Sequence, residues 1–375
     1  MKKIVIIGAN SFQNKLILKA KQLGFQTHVF AWKCGDVGEK TADFFYPVSI
    51  TDKEEILAIC KKIKPDAITS VASDLAMITV SYVASNLGLT CNDFDCVNVT
   101  TNKYAMRKKL KSGGLFTPKF LKVSQDNCKD MLSQIKNTFF QNENCSVIIK
   151  PTDRSGSRGI TKVDKFEDVP DALQRSFENS FEKSAIIEEF INGDEYSCEC
   201  ISFDGKHKFL TVTKKLTTGA PHFIETGHIQ PADLSQDQIS LVKDAIFKAL
   251  SALDIKYGAS HSEFRIDNGQ IKIIEIGARM GGDCIGSDLV FLSTGFDFLK
   301  MVIDVSCGKE PDMTIYPHKN KAQIHFIFNN DDLEKLNLLK TQYPDSIYFI
   351  SDIEKIGSRN VVDSSTRFGY YILTD

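Results

Sequence analysis

The most constraining feature of this sequence is the pattern of its first 90 residues, where short apolar runs alternate with segments of helical periodicity. Residues 3–8 read KIVIIG, a β-branched run typical of a parallel strand buried on both faces. The same reasoning predicts further strands at 27–31 and 66–70, and helices at 13–23, 52–63 and 75–87. Such alternation predicts an α/β lobe with a doubly wound sheet.

The first strand ends in a turn that argues against dinucleotide binding. Gly8 is the one glycine there, whereas the dinucleotide fingerprint needs three for close approach to a pyrophosphate. Asn10 or Ser11 at this strand end, and Ser73-Asp74 after the strand at 66–70, are candidates for contact with a small polar substrate. Ordinary turn chemistry explains these residues equally well.

From Thr100 onward the pattern changes to an α+β arrangement. Thr100 or Thr101 is expected to cap a helix that runs to about Leu110. Asp267-Asn-Gly is a good hairpin turn between two strands. The strands are expected at 119–123, 146–150, 257–266 and 270–277, with more between 184 and 230, and the helices at 127–138 and 235–253. Residues 308–375 show mixed signals and no clear chemistry.

Composition narrows the class of protein. A net charge of -2 gives no global attraction to nucleic acid or to a membrane surface. No segment approaches the roughly 20 apolar residues of a spanning helix, so the cytoplasm is the expected location. The ten cysteines lack zinc-type spacing, and we expect them to be reduced and used as small apolar residues.

A strand that ends in Lys150 is followed by a loop rich in glycine and serine. Small residues such as Ser155, Gly156 and Ser157 allow backbone N–H groups to surround phosphate oxygens, and Lys150 adds a positive charge. The loop lacks the spacing of a P-loop. A surface hairpin that happens to contain these residues is the alternative.

The next candidate is an apolar strand that leads into Glu188, Glu189, Phe190 and Ile191, with Glu195 after a glycine turn. Adenine needs an apolar sandwich, a backbone edge and an acceptor for its amine, and a ribose needs a carboxylate. This segment offers all of these, although strand-turn-strand segments with glutamates are common.

The strongest constellation lies at 261–286. Glu263 and Glu275 sit on two strands joined by a tight turn, so pairing can place them side by side. Neighbouring interior carboxylates need a cation, and oxygen ligands near phosphate favour Mg²⁺, with Mn²⁺ as a second option. Arg279 and the Gly281-Gly282 pair provide a charged fork and exposed N–H groups for a carboxylate or oxyanion. A salt-bridged hairpin, the alternative, leaves these glycines unexplained.

Together these motifs resemble the ATP-grasp superfamily over residues 1 to about 305, in the same order along the chain. Glu225-x-x-His228, His261-x-Glu263 and Glu275-x-x-Ala278-Arg279 are similar to motifs of the L-amino acid ligase subgroup, the bacilysin dipeptide synthetase type. The resemblance implies a Rossmann-like pre-ATP-grasp domain at 1–99, an ATP-grasp small lobe at 100–183, and a large lobe with a C-terminal extension at 184–375.

The resemblance also implies roles for individual residues. Lys103 and Lys150 would contact ATP phosphates, Glu188 and the Phe190–Ile191 backbone adenine, and Glu195 ribose. Glu263 and Glu275 would bind Mg²⁺, while Arg279 and Gly282 would steady an acyl-phosphate and a tetrahedral intermediate. Glu225 and His228 would lie by the amine substrate or the transferred phosphate. Lys214 or Lys215 would reach the γ-phosphate, and the sequence does not choose between them.

The implied reaction activates a carboxylate as an acyl-phosphate and couples it to an amine, with release of ADP and phosphate. The alternatives are an ATP-grasp carboxylase or formyl-type ligase acting on a purine-pathway intermediate, and a non-catalytic ATP-binding module. Gly277 stands where many ATP-grasp enzymes have a metal-binding asparagine, which leaves the number of metal ions open. Small-molecule substrates are the expected partners, with no nucleic acid or membrane, and the resemblance implies a homodimer.

Overall fold

A computed structural model describes residues 1–141 and 145–375. The first lobe contains a parallel four-stranded sheet in the order β3-β2-β1-β4, with Ile4 of the central strand opposite Thr27 and Ala67. Its elements are β1 (Lys3–Ile7), α1 (Ser11–Gln22), β2 (Gln26–Phe30), α2 (Val37–Thr41), β3 (Phe44–Tyr46), α3 (Lys53–Ile63), β4 (Ala67–Thr69) and α4 (Asp74–Leu87). The predicted α/β lobe is confirmed.

Side-chain caps fix where the helices of this lobe begin. The Asn10 side chain accepts hydrogen bonds from the N–H groups of Phe12 and Gln13, and Ser73 accepts one from Ala76. These bonds satisfy N–H groups that have no partner within the first turn. The ordinary turn chemistry considered for Asn10 and Ser73 is therefore what the structure contains.

Two helices, α5 (Phe94–Thr101) and α6 (Lys103–Ser112), connect the first lobe to the rest of the chain. The predicted cap at Thr100 or Thr101 is wrong. Asn102 separates the two helices with an extended backbone, and its side chain accepts a hydrogen bond from the N–H of Ala105. Thr100 lies inside α5, where its hydroxyl donates to the carbonyl of Cys96.

The second lobe has an antiparallel sheet in the order β5-β8-β6-β7. Its elements are β5 (Phe120–Ser124), α7 (Cys128–Phe139), β6 (Val147–Pro151), β7 (Thr161–Val163), α8 (Val169–Asn179) and β8 (Ser184–Glu189). Because β8 pairs with both β5 and β6, the expected boundary between 183 and 184 separates this strand from its hydrogen-bonded partners.

The largest sheet has eight strands in the order β13-β12-β9-β10-β11-β14-β16-β15. Asn268 and Gly269 have φ angles of 49° and 77°, the left-handed geometry that a tight hairpin turn needs, and the predicted β12–β13 hairpin is present. The elements are β9 (Asp194–Phe203), β10 (Lys206–Thr217), β11 (Glu225–Gln230), α9 (Gln236–Ala252), β12 (Gly258–Asp267), β13 (Gln270–Gly277), α10 (Val290–Thr294), α11 (Phe298–Ser306), β14 (Ala322–Ile327), α12 (Asn330–Gln342), β15 (Ile347–Ile350) and β16 (Gly369–Thr374).

Shared apolar packing holds the first lobe against the large sheet. Ile6 of β1 and Ile201 of β9 belong to one buried cluster, together with Met301 and Val302 of α11. Burial of such side chains contributes about 1.5–3 kcal/mol each. No helix among the described residues is long and apolar enough to cross a membrane.

Candidate active site

A cleft opens between the second lobe and the large sheet. Most of the residues singled out in the sequence line it: Lys103, Lys150, Ser155, Gly156, Ser157, Glu188, Glu189, Phe190, Ile191, Glu195, Glu225, Glu263, Glu275 and Arg279. Lys214, His228 and Gly282 are not among the lining residues. One cavity therefore collects candidate groups that are up to 176 positions apart in the chain, from Lys103 to Arg279.

One wall of the cleft carries a buried cluster of charges around Glu188. This carboxylate contacts Arg107 of α6 and lies 2.7 Å from the Lys150 Nζ. All three side chains are nearly inaccessible to solvent. Burial alone would raise the pKa of Glu188, but the charges of Arg107 and Lys150 outweigh it and lower the pKa to about 2. Glu188 therefore stays ionised and fixes the position of Lys150 at the end of β6.

Residues 188–191 join the two lobes and are called the hinge. An arginine that the sequence analysis did not single out fixes this segment in place. Arg265 donates to the carbonyl of Ile191 at 2.7 Å and to the Glu195 carboxylate at 2.9 Å. Its guanidinium lies 4.7 Å from the ring centre of Phe190, which stacks on Phe223 at 5.5 Å. The predicted hinge residues thus form an apolar wall with a backbone edge beside it, the features that a planar base requires.

The structure shows which of Lys214 and Lys215 faces the cleft, a choice that the sequence left open. Side chains of successive strand residues point to opposite faces. Lys214 accordingly pairs with Asp194 at the surface, at 2.9 Å. Lys215 is buried in the cleft, 2.5 Å from Glu263, 3.4 Å from Glu195 and 3.5 Å from Glu225. The expected contact by Lys214 does not fit this placement, because its ammonium group lies outside the cleft.

The charge of Lys215 is secured by its neighbours. Burial would lower its pKa, but the three surrounding carboxylates, Glu263 foremost, hold the pKa well above its ordinary value. In the same way Lys215 and His261 keep the pKa of Glu263 well below its ordinary value, against the effect of burial. Both groups therefore stay charged across the physiological pH range.

Glu263 and Glu275 face each other across β12 and β13, as the hairpin predicted. Lys103 contacts Glu275 at 2.8 Å from the side of α6. Among the described residues no group of three or more His, Cys, Asp or Glu could hold a metal ion. Two oxygen donors in a cleft suit a cation that takes its remaining ligands from phosphate and water, which is the usual coordination of Mg²⁺. The donor set therefore fits the expected Mg²⁺.

The structure explains why position 277 is a glycine, which the sequence alone did not indicate. Arg279 donates to both carboxylate oxygens of Asp74, which begins α4 in the first lobe, at 2.8 and 3.2 Å. A Cβ atom at position 277 would stand 3.0 Å from the Asp74 carboxylate and 3.3 Å from the guanidinium of Arg279. The missing side chain makes room for this ion pair. Asp74 is thus a strand-end candidate that contacts Arg279, a residue lining the cleft.

The C-terminal segment contacts residues at one side of the cleft. Ser157 of the glycine-rich loop donates to Glu225 at 3.3 Å, and Ser364 donates to the same carboxylate. Arg367 pairs with Asp283 at 2.7 Å. Residues 308–375 gave no chemical signal in the sequence, yet this part of the segment contacts the loop and the cleft wall.

His228 and Gly282 lie just behind this wall. His228 is buried 3.6 Å from the Asp283 carboxylate, and neither ring nitrogen has a hydrogen-bond partner in the described part of the chain. Burial lowers its pKa, which favours the neutral imidazole. Gly282 approaches Ala72 of the first lobe, where a Cβ atom would lie at an ordinary contact distance of 3.6 Å. Both residues are near the cleft without lining it.

Several residues of the site escaped the sequence analysis. Arg107 and Arg265 lie on elements that read as ordinary helix and strand, so their sequence context gave no signal. Glu199 lies within a predicted strand, between two cysteines. A charged residue in such an apolar context was the one sequence feature that could have indicated a functional role. Lys215 was recognised but could not be separated from Lys214 without the strand register.

Comparisons with known proteins agree with this geometry. Residues 143–288 match the family model described as the ATP-grasp domain. Residues 143–288 therefore carry an ATP-grasp domain. The α/β first lobe and the α+β lobes agree with the fold that the sequence predicted. The predicted resemblance to this superfamily is confirmed.

Within this class the chain is similar to amino acid ligases. It is 27% identical over 317 residues to alanine–anticapsin ligase of Bacillus subtilis, covering 74% of this chain and 64% of that protein. It is 26% identical over 289 residues to the L-arginine-specific L-amino acid ligase of Bacillus subtilis, covering 74% and 67%. The chain thus spans slightly less than two thirds of the first of these relatives.

Solved structures show the same fold. The L-amino acid ligase of Bacillus licheniformis matches with a TM-score of 0.81 and 21% identity, covering all of this chain and 93% of that one. Phosphoribosylglycinamide synthetase of Anaerococcus prevotii matches with a TM-score of 0.75 and 20% identity, covering 100% and 94%. At such identities these likenesses establish the architecture.

Proposed function

We propose that this protein is an ATP-dependent ligase that activates a carboxylate as an acyl-phosphate and couples it to an amine, releasing ADP and phosphate. The observation that carries the proposal is the content of one cleft. Lys103, Lys150 and Lys215 line it together with the facing carboxylates Glu263 and Glu275. Phosphoryl transfer depends mainly on positioning and charge neutralisation, and this cleft supplies both.

The two ends of the cleft suit the two ends of a nucleotide, the base and the phosphates. The apolar wall of Phe190 and Ile191 would hold adenine, with Glu188 and Glu189 beside it and Glu195 near the ribose. Lys150 and the Ser155–Ser157 loop would hold phosphate oxygens, and Lys103 lies across the cleft on α6. We assign the γ-phosphate contact to Lys215 because it lies inside the cleft.

Glu263 and Glu275 would hold Mg²⁺, which supplies neutralisation of phosphate charge. Lys103 and Lys215 now balance these two carboxylates, so the protein keeps them ionised before any ligand enters. With Gly277 in place of a third ligand, we propose that the protein provides two metal-binding side chains. The remaining coordination would come from substrate oxygens and water.

The two chemical steps need different groups. In the first step an oxygen of the substrate carboxylate forms a bond to the γ-phosphorus of ATP, and the bond to the β-γ bridging oxygen breaks to release ADP. In the second step the amine attacks the acyl carbon, the C–O bond to phosphate breaks, and the amine loses a proton. Arg279, which lines the cleft, would stabilise negative charge on the carboxylate or the tetrahedral oxyanion. Glu225 and His228 are proposed to lie on the amine side.

The similarity to amino acid ligases supports amino acids as substrates. The test is incubation with ATP, Mg²⁺ and pairs of amino acids, with ADP and phosphate measured and the product identified by mass. Each amino acid alone and the Glu275→Gln variant serve as controls. ADP formation that never depends on a carboxylate together with an amine would contradict the proposal. ADP formation with bicarbonate alone would favour the carboxylase alternative instead.

Assembly and location complete the proposal. A homodimer is proposed from the resemblance to the superfamily, and size-exclusion chromatography with light scattering measures it directly. A monomeric mass at working concentrations would remove this part of the proposal. The cytoplasm remains the proposed location, and fractionation of cells that produce the protein tests it.

A further inference from the structure

A chain of three contacts links the proposed metal site to the glycine pair after Arg279. Its centre is Glu199, a residue of β9 that is fully buried. One carboxylate oxygen of Glu199 contacts the Nδ1 of His261 on the neighbouring strand. The other oxygen accepts a hydrogen bond from the backbone N–H of Gly281 at 3.0 Å. A single buried carboxylate is thus attached to two different parts of the site.

His261 extends the chain into the cleft. Its Nε2 lies 3.3 Å from the Oε1 of Glu263. The Lys215 ammonium is 2.5 Å from the same oxygen. Two cationic or donor groups therefore fix one oxygen of Glu263 and set the orientation of the whole carboxylate. The second oxygen, Oε2, takes no part in these two contacts.

The position of His261 between two glutamates completes this arrangement. Its Nδ1 faces the Glu199 carboxylate and its Nε2 faces Glu263. A ring with hydrogen on both nitrogens can donate toward both glutamates. A buried carboxylate requires hydrogen-bond partners, and Glu199 has them in the His261 ring and the Gly281 N–H.

Gly281 shows that this packing tolerates no side chain. A Cβ atom at position 281 would stand 2.7 Å from the Nδ1 of His261 and 3.0 Å from the Glu199 carboxylate. Gly281 is not among the residues with a positive φ, so its backbone conformation is one that alanine can adopt. Contact with the Glu199–His261 pair is therefore what requires glycine here. This accounts for a glycine that the hairpin by itself leaves unexplained.

We infer that Glu199 is a positioning residue that couples the orientation of the metal-binding carboxylate Glu263 to the placement of the Gly281-Gly282 segment beside Arg279. It acts through His261 on one side and through a backbone N–H on the other. The inference rests on the proposed function, since it concerns the same site. Groups that orient a metal ligand typically contribute about 10- to 100-fold in metal affinity or activity.

The first test is Glu199→Gln, which keeps the shape but removes the charge that pairs with His261. We expect kcat to fall about 10- to 100-fold with a smaller change in the KM for ATP. The Mn²⁺ or Mg²⁺ concentration for half-maximal enhancement of ADP binding, measured by calorimetry, should rise by a similar factor. Binding of ADP without metal should stay unchanged. Asp297→Asn, which breaks an ion pair with Lys19 on α1, is the control for loss of a partly buried charge pair.

A double variant distinguishes coupling from general damage. If Glu199 acts through His261, Glu199→Gln combined with His261→Gln should be no more impaired than the worse single variant. Gly281→Ala provides an independent approach from the backbone side and should reproduce the weaker metal dependence. If Glu199→Gln does not fold, Gly281→Ala and His261→Gln carry the test.

Two results would overturn the inference. One is Glu199→Gln with kcat and metal dependence within twofold of wild type. The other is equal loss of metal-free and metal-dependent ADP binding in all three variants, which would indicate a purely structural role. The binding measurements need no turnover. A wild-type protein that binds ADP and metal but joins no carboxylate to an amine would therefore contradict the proposed function while leaving this inference testable.

Discussion

Replacing Glu188 by glutamine should destabilise the protein strongly, because it leaves Arg107 and Lys150 buried without their counter-charge. The folded-state pKa of Glu188 is about 2, against an ordinary value of 4.5. One pKa unit corresponds to about 1.4 kcal/mol, so the charged form contributes about 3 kcal/mol at neutral pH. This agrees with the roughly 3–5 kcal/mol lost when one partner of a buried ion pair is removed.

The assay is urea-induced unfolding followed by circular dichroism, with the free energies of wild type and Glu188→Gln compared at several pH values. The pKa of Glu188 is lowered on folding, so its contribution is complete above the unfolded value of 4.5 and is lost as pH falls from there toward 2. The difference between the two proteins should therefore be constant from neutral pH to about 5 and should shrink in more acidic solution.

Glu189→Gln is the matched control, since Glu189 follows directly on the same strand. Its side chain is 45% exposed and pairs with Lys119 at 3.3 Å. Exposed pairs of this kind contribute about 0–1 kcal/mol. A Glu188→Gln protein within about 1 kcal/mol of wild type, or one whose deficit does not change with pH below 4.5, would refute the reasoning about this cluster.

Three further outcomes follow from the cleft. Glu275→Gln should abolish ADP formation while metal-free ADP binding persists, and unchanged turnover would remove the metal assignment. Lys215→Met should lower kcat by more than about 100-fold, as loss of a transition-state charge contact does, whereas Lys214→Met should leave kcat within about threefold of wild type. Steady-state ADP release measures both variants. A larger loss in Lys214→Met than in Lys215→Met would contradict the assignment of Lys215 to the cleft. Gly277→Ala should lower kcat or raise the KM for the carboxylate by about tenfold, because its Cβ would crowd Arg279, and a fully active variant would show that the guanidinium needs no such space.

The sequence alone determined the framework of the protein. The β-branched run at 3–8 and the alternation after it required a parallel sheet, because a strand buried on both faces has few other structures open to it. The turn at Asp267-Asn-Gly fixed the hairpin and brought Glu263 opposite Glu275. These features depend on local periodicity and turn geometry, which a sequence displays directly.

The tertiary structure decided which charges meet. Lys215 rather than Lys214 enters the cleft because strand register sets which face each side chain occupies. Arg107 and Glu199 reach the site from elements distant in the chain, and the residues around them in sequence do not identify their partners. Asp74 was a candidate because it follows a strand, but its pairing with Arg279 appears only in the folded structure. Pairing of buried charges depends on long-range packing that brings a cation to each carboxylate, and it appears only when the lobes are assembled.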